Sequence, residues 1–232
     1  MNTFVYNPGG NLTALVENLD GSILKSNYAE IANSKMESLD VEQVAFIELE
    51  DNMYKCAMMG GELCINAIRS LGKYLYDATG AADFSVMSSG LQDVVSVNAE
   101  SWVTVTLPKN FTIKKVRENL SLVEMQGIAH FVLITDSFMS DARMRQYIDE
   151  LIIAVDGYPA IGLINVVDSK IKPLVYVKDT NTFIFETGCA SGSIAAALVR
   201  GESVATIVQP SGYPYLIFLE EDLVKLSGVV KS

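Results

Sequence analysis

A chain of 232 residues, half of them hydrophobic, is long enough to bury a substantial core, as one domain or as two small ones. Its 17 Lys and Arg against 28 Asp and Glu give a net charge of −11, and so few cations exclude a phosphate-backbone partner, hence nucleic acid. No apolar stretch is long enough to span a bilayer, and Met-Asn-Thr-Phe-Val-Tyr lacks the basic head and apolar run of a secretion signal; the expectation is a cytoplasmic protein without membrane contact.

Short runs rich in β-branched and aromatic residues predict strands at Phe4–Tyr6 and Leu12–Val16, followed by a helix over Asn27–Met36. Strands at Val44–Leu49 and Tyr54–Met58 come next. A helix then runs from about Leu63 to Ala78, with Leu63, Ala67, Leu71, Tyr74 and Leu75 on one face. Phe84–Met87, Val94–Val97 and Trp102–Leu107 read as three more strands. The order then restarts: a strand at Phe131–Thr135 and an amphipathic helix at Met139–Ala154, its stripe formed by Met144, Ile148, Leu151 and Ile152. Strands at Ile161–Val167, Leu174–Val177 and Thr182–Phe185 precede a helix at about Gly192–Arg200, and Val204–Val208, Leu216–Leu219 and Leu226–Val230 close the chain.

That replay predicts a duplicated fold with halves at 1–112 and 113–232. Cys64 stands at the mouth of one helix, upstream of Ser88-Ser89-Gly90; Cys189 stands at the mouth of the other, upstream of Pro210-Ser211-Gly212. Glycine-led turns open both halves, Pro8-Gly9-Gly10-Asn11 and Gly127-Ile128-Ala129-His130. In such a fold the two cysteines face each other across the cleft between the halves, a common place for a ligand.

The chain has three cysteines, too few for a disulfide framework, and a single His leaves few soft ligands for zinc. Cys56 reads as core. Cys189 lies in Glu186-Thr187-Gly188-Cys189-Ala190-Ser191-Gly192-Ser193, and Cys64 follows Gly60-Gly61-Glu62-Leu63. Small residues at a helix start let backbone N–H groups converge on an anion such as a carboxylate, and the same dipole draws a cysteine toward thiolate. Two thiols facing one bound molecule suit proton transfer from one face of a carbon to the other, which inverts the centre. No lysine sits near either helix mouth, so pyridoxal phosphate is not expected, nor is a metal or nucleotide; the expected cofactor count is none.

These motifs, with Tyr6-Asn7-Pro8-Gly9-Gly10-Asn11-Leu12-Thr13, Glu42–Glu48 and Gln209-Pro210-Ser211-Gly212, resemble the diaminopimelate epimerase-like superfamily of cofactor-independent racemases over nearly the whole chain. Within it, they are most similar to the histidine racemases of opine-type metallophore biosynthesis. Gly60-Gly61-Glu62-Leu63-Cys64-Ile65-Asn66 matches the family's Gly-Asn-Glu-Phe-Cys-Gly-Asn with substitutions, and Cys189-Ala190-Ser191-Gly192 its Cys-Gly-Ser/Thr-Gly. The resemblance implies an α+β fold of two pseudo-symmetric halves, each a mixed, mostly antiparallel sheet wrapped around a central helix. It implies Cys64 and Cys189 as the acid/base pair. Asn11, Asn66, His130 and Glu186 would contact the substrate, with Ala190, Ser191 and Gly192 forming the carboxylate cradle. The bland readings are a packed histidine at His130 and helix-start carboxylates at Glu62 and Glu186.

Two departures bear on substrate: Ile65 and Ala190 stand where the family has glycine, and Thr180-Asn181-Thr182-Phe183 replaces the Glu-Arg pair of diaminopimelate epimerases. Diaminopimelate is therefore not the expected substrate. The expected function is an amino-acid racemase or epimerase, with histidine the candidate substrate and a homodimer compatible with it. The alternatives are an isomerase or lyase of the same fold using one thiol, and a catalytically silent amino-acid binder with Ile65 and Ala190 crowding its site.

Overall fold

The structure, a computed structural model, describes residues 1–155 and 157–232. The first seven strands are β1 (Thr3–Tyr6), β2 (Thr13–Glu17), β3 (Gln43–Glu50), β4 (Met53–Met58), β5 (Asp83–Ser88), β6 (Val95–Asn98) and β7 (Val103–Pro108). Helix α1 (Tyr28–Leu39) joins β2 to β3, and α2 (Ile65–Thr79) joins β4 to β5. A hairpin, β8 (Thr112–Arg117) and β9 (Leu120–Met125), leads into β10 (Ile128–Ile134), α3 (Asp141–Ile152), β11 (Ala160–Val167) and β12 (Lys170–Val177). The remainder is β13 (Thr182–Phe185), α4 (Ala190–Arg200), β14 (Val204–Val208), β15 (Pro214–Leu219) and β16 (Leu223–Gly228).

The strand order is β1-β2-β3-β4-β5-β6-β7-β16-β15-β14-β12-β11-β10-β9-β8, with β13 paired to β12. From β1 to β7 successive pairings run antiparallel, parallel, antiparallel, parallel, antiparallel, antiparallel. The path β9-β10-β11-β12-β14-β15-β16 repeats that sequence of directions without exception. The two paths join antiparallel where β7 meets β16. This is the mixed, mostly antiparallel α+β architecture that the motifs imply.

Burial follows the residue types. Helix α4 is hidden from Ala190 through Leu198, and its small side chains let sheet and neighbouring helix approach from every side; a helix apolar all round belongs in a core. Helix α2 buries Ile65, Ala67, Ile68, Leu71 and Leu75 in the same cluster. The outer helices bury one stripe each, Tyr28 and Ala32 in α1 and Met144, Ile148 and Leu151 in α3. Among the described residues no helix is long and apolar enough to cross a membrane.

Three differences from the sequence reading have physical causes. The hairpin β8–β9 has no predicted counterpart: all six residues of β8 are exposed and three are basic (Lys114, Lys115 and Arg117), so period-two alternation is missing from an edge strand. Strand β12 begins four residues earlier than predicted and carries Pro173 inside it, where the proline carbonyl still accepts the Glu186 amide at 3.3 Å. Both central helices start one residue beyond their cysteines, because an extended residue precedes each first turn.

Candidate active site

Cys64 and Cys189 are the N-caps of α2 and α4, with nearly identical backbones (φ −127°, ψ 101° and φ −122°, ψ 102°). An N-cap side chain accepts from an otherwise unpartnered amide of the first turn. Here the Ala67 N–H donates to Cys64 Sγ at 3.4 Å and the Gly192 N–H to Cys189 Sγ at 3.3 Å. Gly192 leaves room for this contact: a Cβ there would lie 2.5 Å from Ile164 Cδ1 and 2.9 Å from Cys189 Sγ, so the thiol and the isoleucine would have to shift.

A web of buried bonds fixes the two helix mouths against each other. The Asn66 amide donates to the Gly188 carbonyl at 2.8 Å, tying the start of α2 to the turn before Cys189. Arg69, fully buried in α2, donates to Pro8 O (3.1 Å), Asn66 Oδ1 (3.1 Å) and Val229 O (3.0 Å), and its guanidinium lies 4.6 Å from the Tyr215 ring centroid. The Tyr215 hydroxyl donates to Pro8 O. Gln209 accepts from the Cys189 N–H at 2.8 Å and donates to Ser193 Oγ at 2.8 Å. Glu42 accepts from the Thr187 N–H (3.0 Å), the Thr187 hydroxyl and Asn11 Nδ2 (3.1 Å), a second clasp between early and late parts of the chain.

Between these mouths lies a cleft of about 630 Å³ of empty space, its opening included. Cys64, Ile65, Asn66, Glu186, Ala190 and Ser191 line it. The first amides of both helices have no intrahelical acceptor, so Ile65, Asn66, Ala190 and Ser191 present N–H groups, and two positive dipole ends, to one space. Among the described residues, three carboxyl groups, Glu42, Glu62 and Glu186, line the same cleft and no Lys or Arg does. Cys189, Gly192, Asn11 and His130 lie behind this lining: Asn11 holds Glu42, and Cys189 Sγ is 3.8 Å from Ser191 Oγ. His130 reaches the site only through Ser191, with Nε2 2.9 Å from its Oγ, and Gly162 leaves room for the ring, since a Cβ there would meet Nδ1 at 2.2 Å.

Burial dominates the protonation of the site. It pushes both cysteine thiols well above their ordinary range, with the nearby Glu186 charge adding to the rise at each. The thiolate-favouring effect expected of the helix mouths is thus outweighed by desolvation, so both cysteines rest as thiols. Burial also raises Glu186 to about 7 and lifts Glu42 and Glu62. His130 is driven down to about 3, so its imidazole is neutral.

Residues to which the sequence reading gives no role complete the site. Gln43 carries the Cys64 environment: its Oε1 accepts the Cys64 S–H at 3.1 Å, while its Nε2 donates to Thr13 Oγ1 at 2.7 Å, which fixes the amide with its carbonyl toward the thiol. Arg69 falls outside the apolar stripe of its helix, and its partners Pro8 and Val229 are remote in sequence, so no spacing announces it. Cys56 is buried on β4, as the sequence suggests, with its thiol raised to about 12 by burial.

The chain matches the family described as "Histidine racemase CntK N-terminal domain" over residues 2–217. It is 29% identical to a histidine racemase of Fusobacterium nucleatum subsp. nucleatum, covering 97% of this chain and 92% of that one. It is 26% identical to the histidine racemase of Staphylococcus aureus, covering 89% and 84%. Its fold is similar to a "predicted epimerase" of Pseudomonas aeruginosa (TM-score 0.69, 10% identity, 99% and 95% of the chains). It is also similar to a hydroxyproline epimerase of Agrobacterium vitis solved with trans-4-hydroxy-L-proline (TM-score 0.63, 8% identity, 99% and 90%). With two cysteine-capped helices opening toward one cleft and a family match along nearly its whole length, the chain belongs to the histidine racemase family and is an amino-acid racemase or epimerase, an isomerase of diaminopimelate epimerase-like fold.

Proposed function

We propose that this protein racemises histidine by a two-base mechanism in which Cys64 and Cys189 act on opposite faces of the α-carbon. The observation that carries the reading is the matched geometry of the two caps on helices whose mouths share one cleft. In this reading residues 1–112 and 113–232 are halves that each supply one thiol. The repeated order of strand directions supports that division.

The substrate carboxylate sits at the amides of Ile65, Asn66, Ala190 and Ser191, where two dipole ends stabilise the charge that builds up as the α-proton leaves. One sulfur, as thiolate, takes the α-proton. The electron pair left behind delocalises into the carboxylate, and the opposing thiol delivers its proton to the other face. Chain and substrate together neither gain nor lose a proton. Glu186 is the group that readies Cys189: ionised, it draws off the thiol proton. Gln43 holds the Cys64 proton on a fixed acceptor. Two features favour histidine: the names of the curated relatives, and a cleft with three carboxyl groups and no cation, which suits a basic side chain. Both thiols and the cradle come from one chain, so a homodimer is compatible with the mechanism and not required by it. A cytoplasmic setting, with neither membrane nor nucleic acid as partner, completes the reading.

Incubation with L-histidine should yield D-histidine on a chiral column, with diaminopimelate left unchanged; L-histidine recovered intact under reducing conditions would defeat the proposal. The pH profile supplies a second test. Because burial raises the Glu186 carboxyl to about 7, and only its ionised form accepts a proton, kcat should climb as pH rises through that value. Glu186→Gln should remove this limb and lower kcat by on the order of 100-fold. A wild-type rate that stays flat well into the acid range would show that Glu186 is not the group that titrates.

A further inference from the structure

Glu62 is the member of the carboxyl trio with a buried oxygen left over, although the backbone amides of Gly60 and of Glu62 itself favour its charged form. The residue is only 6% exposed, and Oε2 has no hydrogen-bond partner among the described residues. Buried acceptors are nearly always satisfied, so an orphan that lines a cleft marks a place a ligand completes. Glu42 shows the contrast: in the same cleft, it is bonded to the Thr187 amide, the Thr187 hydroxyl and Asn11.

The orphan is held in place. The Glu62 carbonyl accepts the Ser89 hydroxyl at 2.8 Å, and that hydroxyl also takes the Met58 N–H at 2.9 Å, which anchors the turn before Cys64. The turn itself is shaped for the carboxyl group. A Cβ at Gly60 would come within 2.7 Å of Glu62 Oε2 and 3.0 Å of Val177 Cγ1, so glycine there leaves room for the carboxyl group to fold back over the turn. Met58, Ile128, Val175, Val177 and Ile184 line that part of the site. One acceptor in an apolar wall suits a flat, weakly polar side chain that carries an N–H.

We propose that Glu62 selects the substrate by accepting a side-chain N–H of the bound amino acid, the imidazole N–H in the case of histidine. This rests on the racemase reading above. Alkyl side chains leave Oε2 unpaired, and a side-chain carboxylate meets the charge of Glu42, Glu62 and Glu186. Glu186 acts on both thiols, whereas of the two Glu62 acts on Cys64 alone and as the smallest of its influences, so in this reading the α-amino group belongs beside Glu186. Glu62 is thereby left to the distal end of the substrate.

The test compares wild type, Glu62→Gln and Glu62→Leu on L-histidine and L-methionine, by α-proton exchange in heavy water and by calorimetric binding to the intact proteins. Glu62→Leu should lose roughly 10- to 100-fold in kcat/KM on histidine, mainly through KM, and gain relative to wild type on methionine. Glu62→Gln, which keeps an acceptor, should fall between. An unchanged histidine-to-methionine preference in a folded Glu62→Leu protein overturns the proposal, as does an equal loss on both substrates. If wild type exchanges neither amino acid, the racemase reading fails; the binding preference still decides whether Glu62 selects.

Discussion

Cys64→Ala and Cys189→Ala are each expected to abolish racemisation, with kcat lowered by at least roughly 1,000-fold, the upper range for loss of a positioned acid or base. The variants should remain folded, because each loses a helix cap worth about 1 kcal/mol and no large side chain. They should also differ from each other. A single remaining thiol removes and returns a proton on one face only, so each variant should wash deuterium into one enantiomer without inverting it. Cys64→Ala retains the face served by Cys189, and Cys189→Ala the opposite one. Exchange of both enantiomers by either variant would favour the one-thiol alternative, and full activity in either would remove that cysteine from the mechanism.

Arg69→Leu is expected to be the most destabilising change near the site. The guanidinium is fully buried and ties α2 to the carbonyls of Pro8 and Val229 and to Asn66, which in turn holds Gly188. Gly228 makes room for it, since a Cβ there would stand 2.7 Å from Nη2. The guanidinium donates to three neutral acceptors with no carboxylate beside it, so its loss strips those acceptors of a charge-assisted donor at about 2–4 kcal/mol, and in a chain of this size that lowers the melting temperature by roughly 5–10 °C. Activity measured well below the transition should fall as well, because Asn66 and the turn before Cys189 lose their support. A melting temperature within about 2 °C of wild type, by calorimetry, would show that the network is dispensable.

Much of the fold was legible because its core strands are β-branched and its central helices begin at glycine-rich mouths. The order of elements points to a duplicated fold, and the cysteine contexts point to one cleft. Cys64, Asn66, Glu186, Ala190 and Ser191 do line that cleft, with Cys189 just beneath Ser191. What the sequence hid has two causes. The charged edge strand β8 lacks the alternation that reveals strands. The groups that set the site's polarity, Gln43, Arg69, Gln209 and Thr187, act through bonds to residues remote in the chain or to backbone atoms, which no local spacing encodes. A helix mouth by itself favours the thiolate, but burial, a property of the assembled cleft, outweighs it at both cysteines.

The most direct test of the two-thiol account is the isotope content of both enantiomers early in the reaction of L-histidine with wild-type protein in heavy water. Opposed thiols predict D-histidine carrying deuterium at the α-carbon while the remaining L-histidine keeps its proton. Deuterium entering L-histidine as fast as D-histidine forms would contradict the account, because one base would then be serving both faces.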